Sequence, residues 1–260
     1  MSRFYGSSII FLLSAGISFL IFSGTARTAV MLSLLLAYLS VFSLGVSVLR
    51  LNFFCRAVCR GKTGDMLVSL TFDDGPDPAT TPAVLDVLAK YGVHAAFFCI
   101  GEKTAQYPQL ARRIADEGHI IANHSYRHYW GTNFLRLKGL TREMAQTQEA
   151  IQGATGKIPA FFRPPMGLTN PHMARALRLN GLTCVGWDVR TFDTGRTNKQ
   201  ALDTIVCKTR DGSIILLHDT ARSPRVMTEL LEGVIAVLKY RGFSFSALDD
   251  LLGIEPYQEN

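Results

Sequence analysis

No aspartate or glutamate occurs in the first 62 residues of this 260-residue chain. Arg3, Arg27, Arg50, Arg56, Arg60 and Lys62 therefore carry the whole formal charge of +6, and the remaining 21 basic and 21 acidic residues cancel. A neutral remainder excludes a phosphate-backbone footprint, so no nucleic-acid partner is expected. Charge is also missing from residues 9–22 and 29–49, with Arg27 alone between them. The second run is long enough to span a bilayer, which takes about 20 apolar residues. The first is shorter and has three readings. It is one arm of a transmembrane hairpin over Tyr5 to Ser23, a cleaved signal peptide cut near Gly24-Thr25-Ala26, or an interfacial segment. The hairpin is favoured, and the lack of a polar face argues against buried core helices.

Paired CxxC spacings are absent as well. The five cysteines, Cys55, Cys59, Cys99, Cys184 and Cys207, are odd in number, so neither a disulfide framework nor a thiolate zinc site is indicated. Cys99 and Cys184 sit inside apolar runs and read as small buried hydrophobes. No internal repeat or low-complexity stretch appears.

After Gly61-Lys62-Thr63-Gly64, short apolar runs alternate with amphipathic ones. Strands are expected at 66–72, 94–100, 119–123, 160–163, 183–189, 213–217 and 243–248. Helices are expected at 82–91, 105–117, 141–153, 171–180, 199–210 and 225–240. Glycines 92, 118, 181, 212 and 242 separate helix from strand, where left-handed C-caps belong. Strands buried on both faces and alternating with helices imply an α/β fold, a distorted (β/α) barrel of about seven parallel strands preceded by N-terminal transmembrane helices.

The chemistry-bearing residues follow strands. Asp73 and Asp74 end the first run, and His124 and His128 follow the third. Adjacent carboxylates and two imidazoles four apart are what a mononuclear metal hydrolase needs to hold one divalent ion and activate water. Each half alone has a bland alternative, a turn-capping acidic pair or two surface histidines. Arg163, Asp193 and His218 also follow strands, and parallel α/β folds gather such loops at one end of the sheet.

Four segments carry a resemblance: Thr71-Phe72-Asp73-Asp74-Gly75, His124-Ser125-Tyr126-Arg127-His128, Arg163-Pro164-Pro165-Met166-Gly167 and Leu216-Leu217-His218-Asp219. In kind and order they resemble the polysaccharide deacetylases with the NodB homology domain, carbohydrate esterase family 4. The resemblance spans most of residues 66–250. It implies a metal triad of Asp74, His124 and His128, with Asp73 as general base oriented by Arg163. It implies His218 as general acid tuned by Asp193, the Met166 N–H as oxyanion donor, and Leu216 lining the acetyl pocket. A further family pattern, Asp-x-x-Asp-Trp, survives here only as Arg190-Thr191-Phe192-Asp193-Thr194. The missing tryptophan and the methionine at 166 point to an altered substrate wall, with Asp188 a candidate substitute for the lost polar contact.

The expected organisation is a membrane anchor over 1–62, a deacetylase domain over 63–254 and a tail over 255–260 that frays. The expected activity is metal-dependent removal of N-acetyl groups from N-acetylhexosamine units of a polysaccharide or oligosaccharide. Zinc is favoured, while cobalt, nickel and iron suit the same donors. One alternative is a deacylase or deformylase of a lipid-carrier-linked amino sugar at the inner membrane face. The other is a catalytically decayed glycan-binding module. Arg50, Arg56, Arg60 and Lys62 place the domain on the cytoplasmic side of a bacterial-type cell membrane by the positive-inside rule, whereas a wall glycan would require the outer side.

Overall fold

The computed structural model describes residues 2–220 and 222–259, so Met1 of the expected anchor, Ala221 of the expected domain and Asn260 of the expected tail lie outside it. The chain opens with helices α1 (Ser2–Ile21) and α2 (Gly24–Ser47). The two pack as a hairpin: Phe11 stacks on Tyr38 at 4.6 Å between ring centroids, and Ser8 Oγ lies 2.9 Å from the Tyr38 hydroxyl. Both helices are long and apolar enough to cross a membrane, and among their described residues only Gly45 is buried. Leu20 is 84% exposed and Leu36 65%. They are not core helices.

A short 3-10 turn, Leu49–Leu51, leads into the remainder. In chain order follow β1 (Ala57–Val58), β2 (Leu67–Asp73), α3 (Thr81–Tyr91), β3 (Ala95–Cys99), α4 (Gly101–Gln106), α5 (Pro108–Asp116), β4 (Ile120–Asn123) and α6 (Leu137–Thr155). Then come β5 (Ile158–Pro159), β6 (Phe161–Phe162), α7 (Met173–Leu179), β7 (Thr183–Val185), β8 (Val189–Arg190), α8 (Asn198–Lys208) and β9 (Ser213–His218). The chain ends with α9 (Pro224–Tyr240), β10 (Ser244–Phe245), α10 (Leu248–Leu252) and β11 (Tyr257–Gln258).

The main sheet runs β1-β7-β6-β4-β3-β2-β9-β8, with β10 beside β2, and all its ladders are parallel. It is the expected distorted barrel, left open between β1 and β8. The linker after the hairpin narrows that seam: β1 pairs with β7, Arg60 bridges Ser213, and the Gly61 N–H donates to Gly212 O at 2.8 Å. Cys55, Ala57 and Cys59 are buried there, so the boundary drawn at residue 62 falls within packed structure.

Strand alternation sorts the side chains into two layers. Val68, Leu70, Phe72, Phe97, Ile215 and Leu217 pack against the surrounding helices. Ala96, Phe98, Ala122, Phe161 and Ile214 fill the barrel, closed below by Leu248 and Leu251. The periodicity expected one strand over 243–248, but the chain leaves the sheet after Phe245 and forms α10. Burying each leucine is worth about 1.5–3 kcal/mol, more than the roughly 1 kcal/mol that a further ladder hydrogen bond would add.

Three other expectations are corrected. The helix expected at 105–117 is two helices, because Pro108 lacks an N–H and holds Tyr107 out of helical geometry (φ −125°, ψ 58°). The strand expected at 183–189 is split by Gly186-Trp187-Asp188 into β7 and β8, which lie at opposite ends of the sheet. The tail does not fray at Tyr257–Gln258. These residues pair antiparallel with β5, and the Ile121 N–H donates to the Tyr257 hydroxyl at 3.2 Å.

Candidate active site

Strand β2 delivers both aspartates to the C-terminal end of the sheet. Asp73 continues the inward-facing series, in register with His218 at the end of β9. Alternation would send Asp74 to the helix side, but it takes a left-handed backbone (φ 74°) that breaks the series. The next residue must be small. A Cβ on Gly75 would lie 2.5 Å from the carboxylate of buried Asp219, which also accepts from the Thr81 hydroxyl. Lys103 Nζ donates to Asp74 O at 2.7 Å and holds the turn from the other side.

The histidines lie in the loop after β4. His124 is buried, and its Nδ1 stands 2.8 Å from Arg163 O. A carbonyl only accepts, so Nδ1 carries the hydrogen and Nε2 keeps a free lone pair. Nε2 of His124 and of His128 lie 3.5 and 3.2 Å from Asp74 Oδ1. Candidate ligand atoms from Asp74, His124 and His128 all fall within 4.8 Å of one another. Asp74 Oδ1 is buried without a hydrogen-bond partner, an expensive state that a cation would relieve. One carboxylate and two imidazoles therefore fit a divalent ion with an open coordination position.

Electrostatics agree with that fit. Burial opposes ionisation of Asp74, yet the adjacent His124, with His128 and His218, holds its carboxyl below the usual range. Burial, and then the neighbouring His124, push His128 down to about 4. Near neutral pH it therefore presents a neutral imidazole, as ligation requires.

Arg163 is fully buried. Its Nη1 donates to Asp73 Oδ1 at 2.7 Å and to Thr71 Oγ1 at 2.8 Å, while Nε and Nη2 donate to the carbonyls of Val185 and Gly186. Its guanidinium lies 3.9 Å from the Phe98 ring centroid. On the opposite wall Asp193 Oδ1 stands 2.9 Å from His218 Nδ1, and Asp193 Oδ2 accepts the His218 backbone N–H at 2.8 Å. Burial disfavours the His218 imidazolium, but the bond and charge of Asp193, reinforced by Asp73 and Asp74, raise its pKa above the usual value. An Asp193→Asn variant should lower that pKa. If His218 acts as an acid, the alkaline limb of the pH–rate profile then moves to lower pH, and an unmoved limb would remove His218 from that role.

The remaining expected residues are less closely joined. Met166 lies in a left-handed turn (φ 56°) and is 41% exposed, at the rim. Leu216 is buried, in register with Thr71 and Arg190. Thr194 is exposed. Asp188 does not replace the missing contact: its carboxylate accepts from Ser213 Oγ and the Ile214 N–H at the start of β9, away from His218.

Several supports carried no sequence signal. Glu143 of α6 accepts the N–H groups of Tyr126 and Arg127, which fixes the histidine loop, and Asn123 Oδ1 accepts the Ser125 N–H. Glu143 lies on a helix with ordinary amphipathic spacing, so only the fold shows its target. Thr71 and Thr191 stand within segments read from the sequence, but only the fold shows their contacts: Arg163 donates to the Thr71 hydroxyl, and the Thr191 hydroxyl sits 2.8 Å from Asp193 Oδ1.

Comparison with known proteins places this arrangement. A family model described as polysaccharide deacetylase matches residues 60–185. The chain is 38% identical over 168 residues to a chitooligosaccharide deacetylase of Sinorhizobium fredii, covering 64% of this chain and 78% of that protein. It is 33% identical over 187 residues to the peptidoglycan-N-acetylglucosamine deacetylase PgdA of Listeria monocytogenes, covering 72% of this chain but only 39% of PgdA. The peptidoglycan-N-acetylmuramic acid deacetylase PdaA of Bacillus subtilis is 34% identical over 197 residues, with 74% and 73% covered. Its solved structure, that of a family 4 carbohydrate esterase, superposes with a TM-score of 0.66 over 75% of this chain and 84% of that one. With these relatives and the parallel barrel that brings the four sequence segments together, the chain belongs to the polysaccharide deacetylase family, carbohydrate esterase family 4.

Proposed function

We propose that this chain is a metal-dependent hydrolase that removes N-acetyl groups from N-acetylhexosamine units of a glycan. The observation that carries the reading is the convergence of Asp74, His124 and His128 beside two further pairs, Asp73–Arg163 and Asp193–His218. The substrates named for the relatives, peptidoglycan sugars and chitooligosaccharides, support the bond type.

Asp74, His124 and His128 hold the ion, for which zinc is the favoured identity and cobalt, nickel or iron suit the same donors. When bound, it supplies Lewis acidity that polarises the amide carbonyl and makes water easier to deprotonate. Asp73, aimed by Arg163, accepts the proton of the attacking water. The Met166 N–H donates to the oxyanion that develops on the former carbonyl oxygen, and Leu216 walls the acyl methyl group. His218, held by Asp193, passes a proton to the departing amine. Purified protein should release acetate from an acetylglucosamine oligomer, lose that activity on dialysis against a chelator, and regain it with zinc. Acetate release indifferent to chelation would reject the metal.

Residues 1–62 serve in this reading as a two-helix membrane anchor for the domain over 63–254. The hairpin returns the chain to the side it started from: Arg3 Nη1 donates to Leu51 O. Arg3, Arg50, Arg56, Arg60 and Lys62 then share one membrane side, with Arg27 alone near the far turn. That asymmetry favours a cytoplasmic catalytic domain and, with it, a second reading of the substrate as an acylated amino sugar on a lipid carrier. An alkaline phosphatase fused after Lys62 should be inactive. An active fusion would place the domain outside and favour a wall glycan.

A further inference from the structure

The end of the membrane hairpin is bonded directly to the segment that frames the candidate site. The Thr169 N–H, three residues beyond Met166, donates to Val46 O at 3.0 Å, and the Thr169 hydroxyl lies 3.4 Å from Gly45 O. These are carbonyls of the last turn of α2, which a helix leaves without internal partners. The catalytic mouth is thereby tied to the emerging end of α2.

A cavity of about 260 Å³ opens at this junction, between Ser47 on one side and Gly167 and Phe192 on the other. Arg50, Arg190 and Lys208 line it, with Asp188 as its one acidic residue. Asp188 is already engaged by Ser213 Oγ and the Ile214 N–H, and Arg50 approaches it only to 3.8 Å. Among the described residues Arg190 has no anionic partner. Its Nε is buried and makes no hydrogen bond, and its guanidinium lies over the rings of Trp187 and Phe192 at 5.6 and 4.9 Å. An unbonded guanidinium N–H removed from water is costly, and a bound anion would satisfy it.

One ring separates this cavity from the catalytic carboxylate. Trp187 packs so closely on Gly167 that a Cβ there would lie 2.4 Å from it, and its ring centroid lies 5.6 Å from the guanidinium of Arg163, which holds Asp73. In a 2-acetamido sugar carrying phosphate at its anomeric carbon, the acylated nitrogen and the phosphate ester are on adjacent carbons. Such a molecule would present its acetamido group and its anionic group to neighbouring pockets.

We infer that Arg50, Arg190 and Lys208 form an anion subsite for the phosphate or diphosphate that joins an acylated amino sugar to a membrane lipid. The inference rests on the hydrolase reading above and assigns its substrate class. A neutral glycan would leave the three cations unused, whereas a carrier lipid in the bilayer beside α2 would deliver its headgroup to them.

Binding tests this without turnover. In a Trp130→Phe background Trp187 is the only tryptophan left, since the chain has two. Full-length protein in neutral detergent, titrated with farnesyl diphosphate, should show a saturable change in Trp187 fluorescence. Farnesol should give none, and inorganic diphosphate should compete. Arg190→Gln and Lys208→Gln should each weaken binding at least tenfold, with circular dichroism confirming that the variants are folded. Absent saturation, equal affinity of the variants, or equal competition by phosphatidylglycerol micelles would overturn the subsite, the last by showing general lipid contact. Protein that releases acetate from soluble oligomers but ignores farnesyl diphosphate overturns the subsite alone. Arginine-dependent binding with no turnover of any acylated amino sugar supports the subsite and rejects the hydrolase.

Discussion

Asp73→Asn should cut turnover by about 10²–10⁴-fold, the range that a positioned general base contributes, while the protein still takes up its metal. The two halves of that expectation come from different bonds. Asp73 Oδ1 is held by Arg163, and Asp73 Oδ2 lies 3.8 Å from His124 Nε2, outside the Asp74, His124 and His128 group. An asparagine keeps the shape and loses the proton acceptor. Measuring acetate release beside metal content separates the roles. Metal lost together with activity would make Asp73 a ligand, and activity retained would remove it from the chemistry.

Arg163→Leu should be the most damaging single change to the fold of the site. The guanidinium is fully buried and donates to Asp73, Thr71 and the carbonyls of Val185 and Gly186. Leucine would leave the Asp73 carboxylate and two carbonyls unpaired inside the barrel. Removing one partner of a buried ion pair costs about 3–5 kcal/mol. At roughly 2–4 °C per kcal/mol for a domain of this size, the melting temperature should fall by about 6–20 °C. Lysine should recover little, because it lacks the planar fork that reaches several acceptors at once. Calorimetry would decide, and a shift under 2 °C would mean that Arg163 is not the brace of this site.

Much of the site is legible in sequence because its parts are local. Thr71-Phe72-Asp73-Asp74-Gly75 and Arg163-Pro164-Pro165-Met166-Gly167 each combine a strand end with the residues that turn it. In both segments the small residue is required by a contact, Asp219 against Gly75 and Trp187 against Gly167. The braces are not legible. Glu143 reaches the histidine loop from another element, and Asp219 acts on Gly75 from 144 positions along the chain, at distances no local pattern encodes. Asp188 illustrates the converse. Its place beside Trp187 looked like a substitute for a missing aspartate, yet the break between β7 and β8 turns it to the start of β9.

From its order of residues alone, the chain determined an acid-free, apolar front and an alternation of strands and helices whose strand ends carry aspartate, histidine and arginine. Those properties are local, set by side-chain period and by charge along the backbone. Tertiary structure decided which ends meet: parallel register sets Asp73 beside His218, and the sheet's curl brings Asp74 to His124 and His128. It also decided that the linker after the hairpin narrows the barrel seam, that the end of α2 bonds to Thr169, and that a cationic cavity forms against the candidate site. The reason is physical, since hydrogen bonds and ion pairs act over a few ångströms of space whatever the separation in sequence.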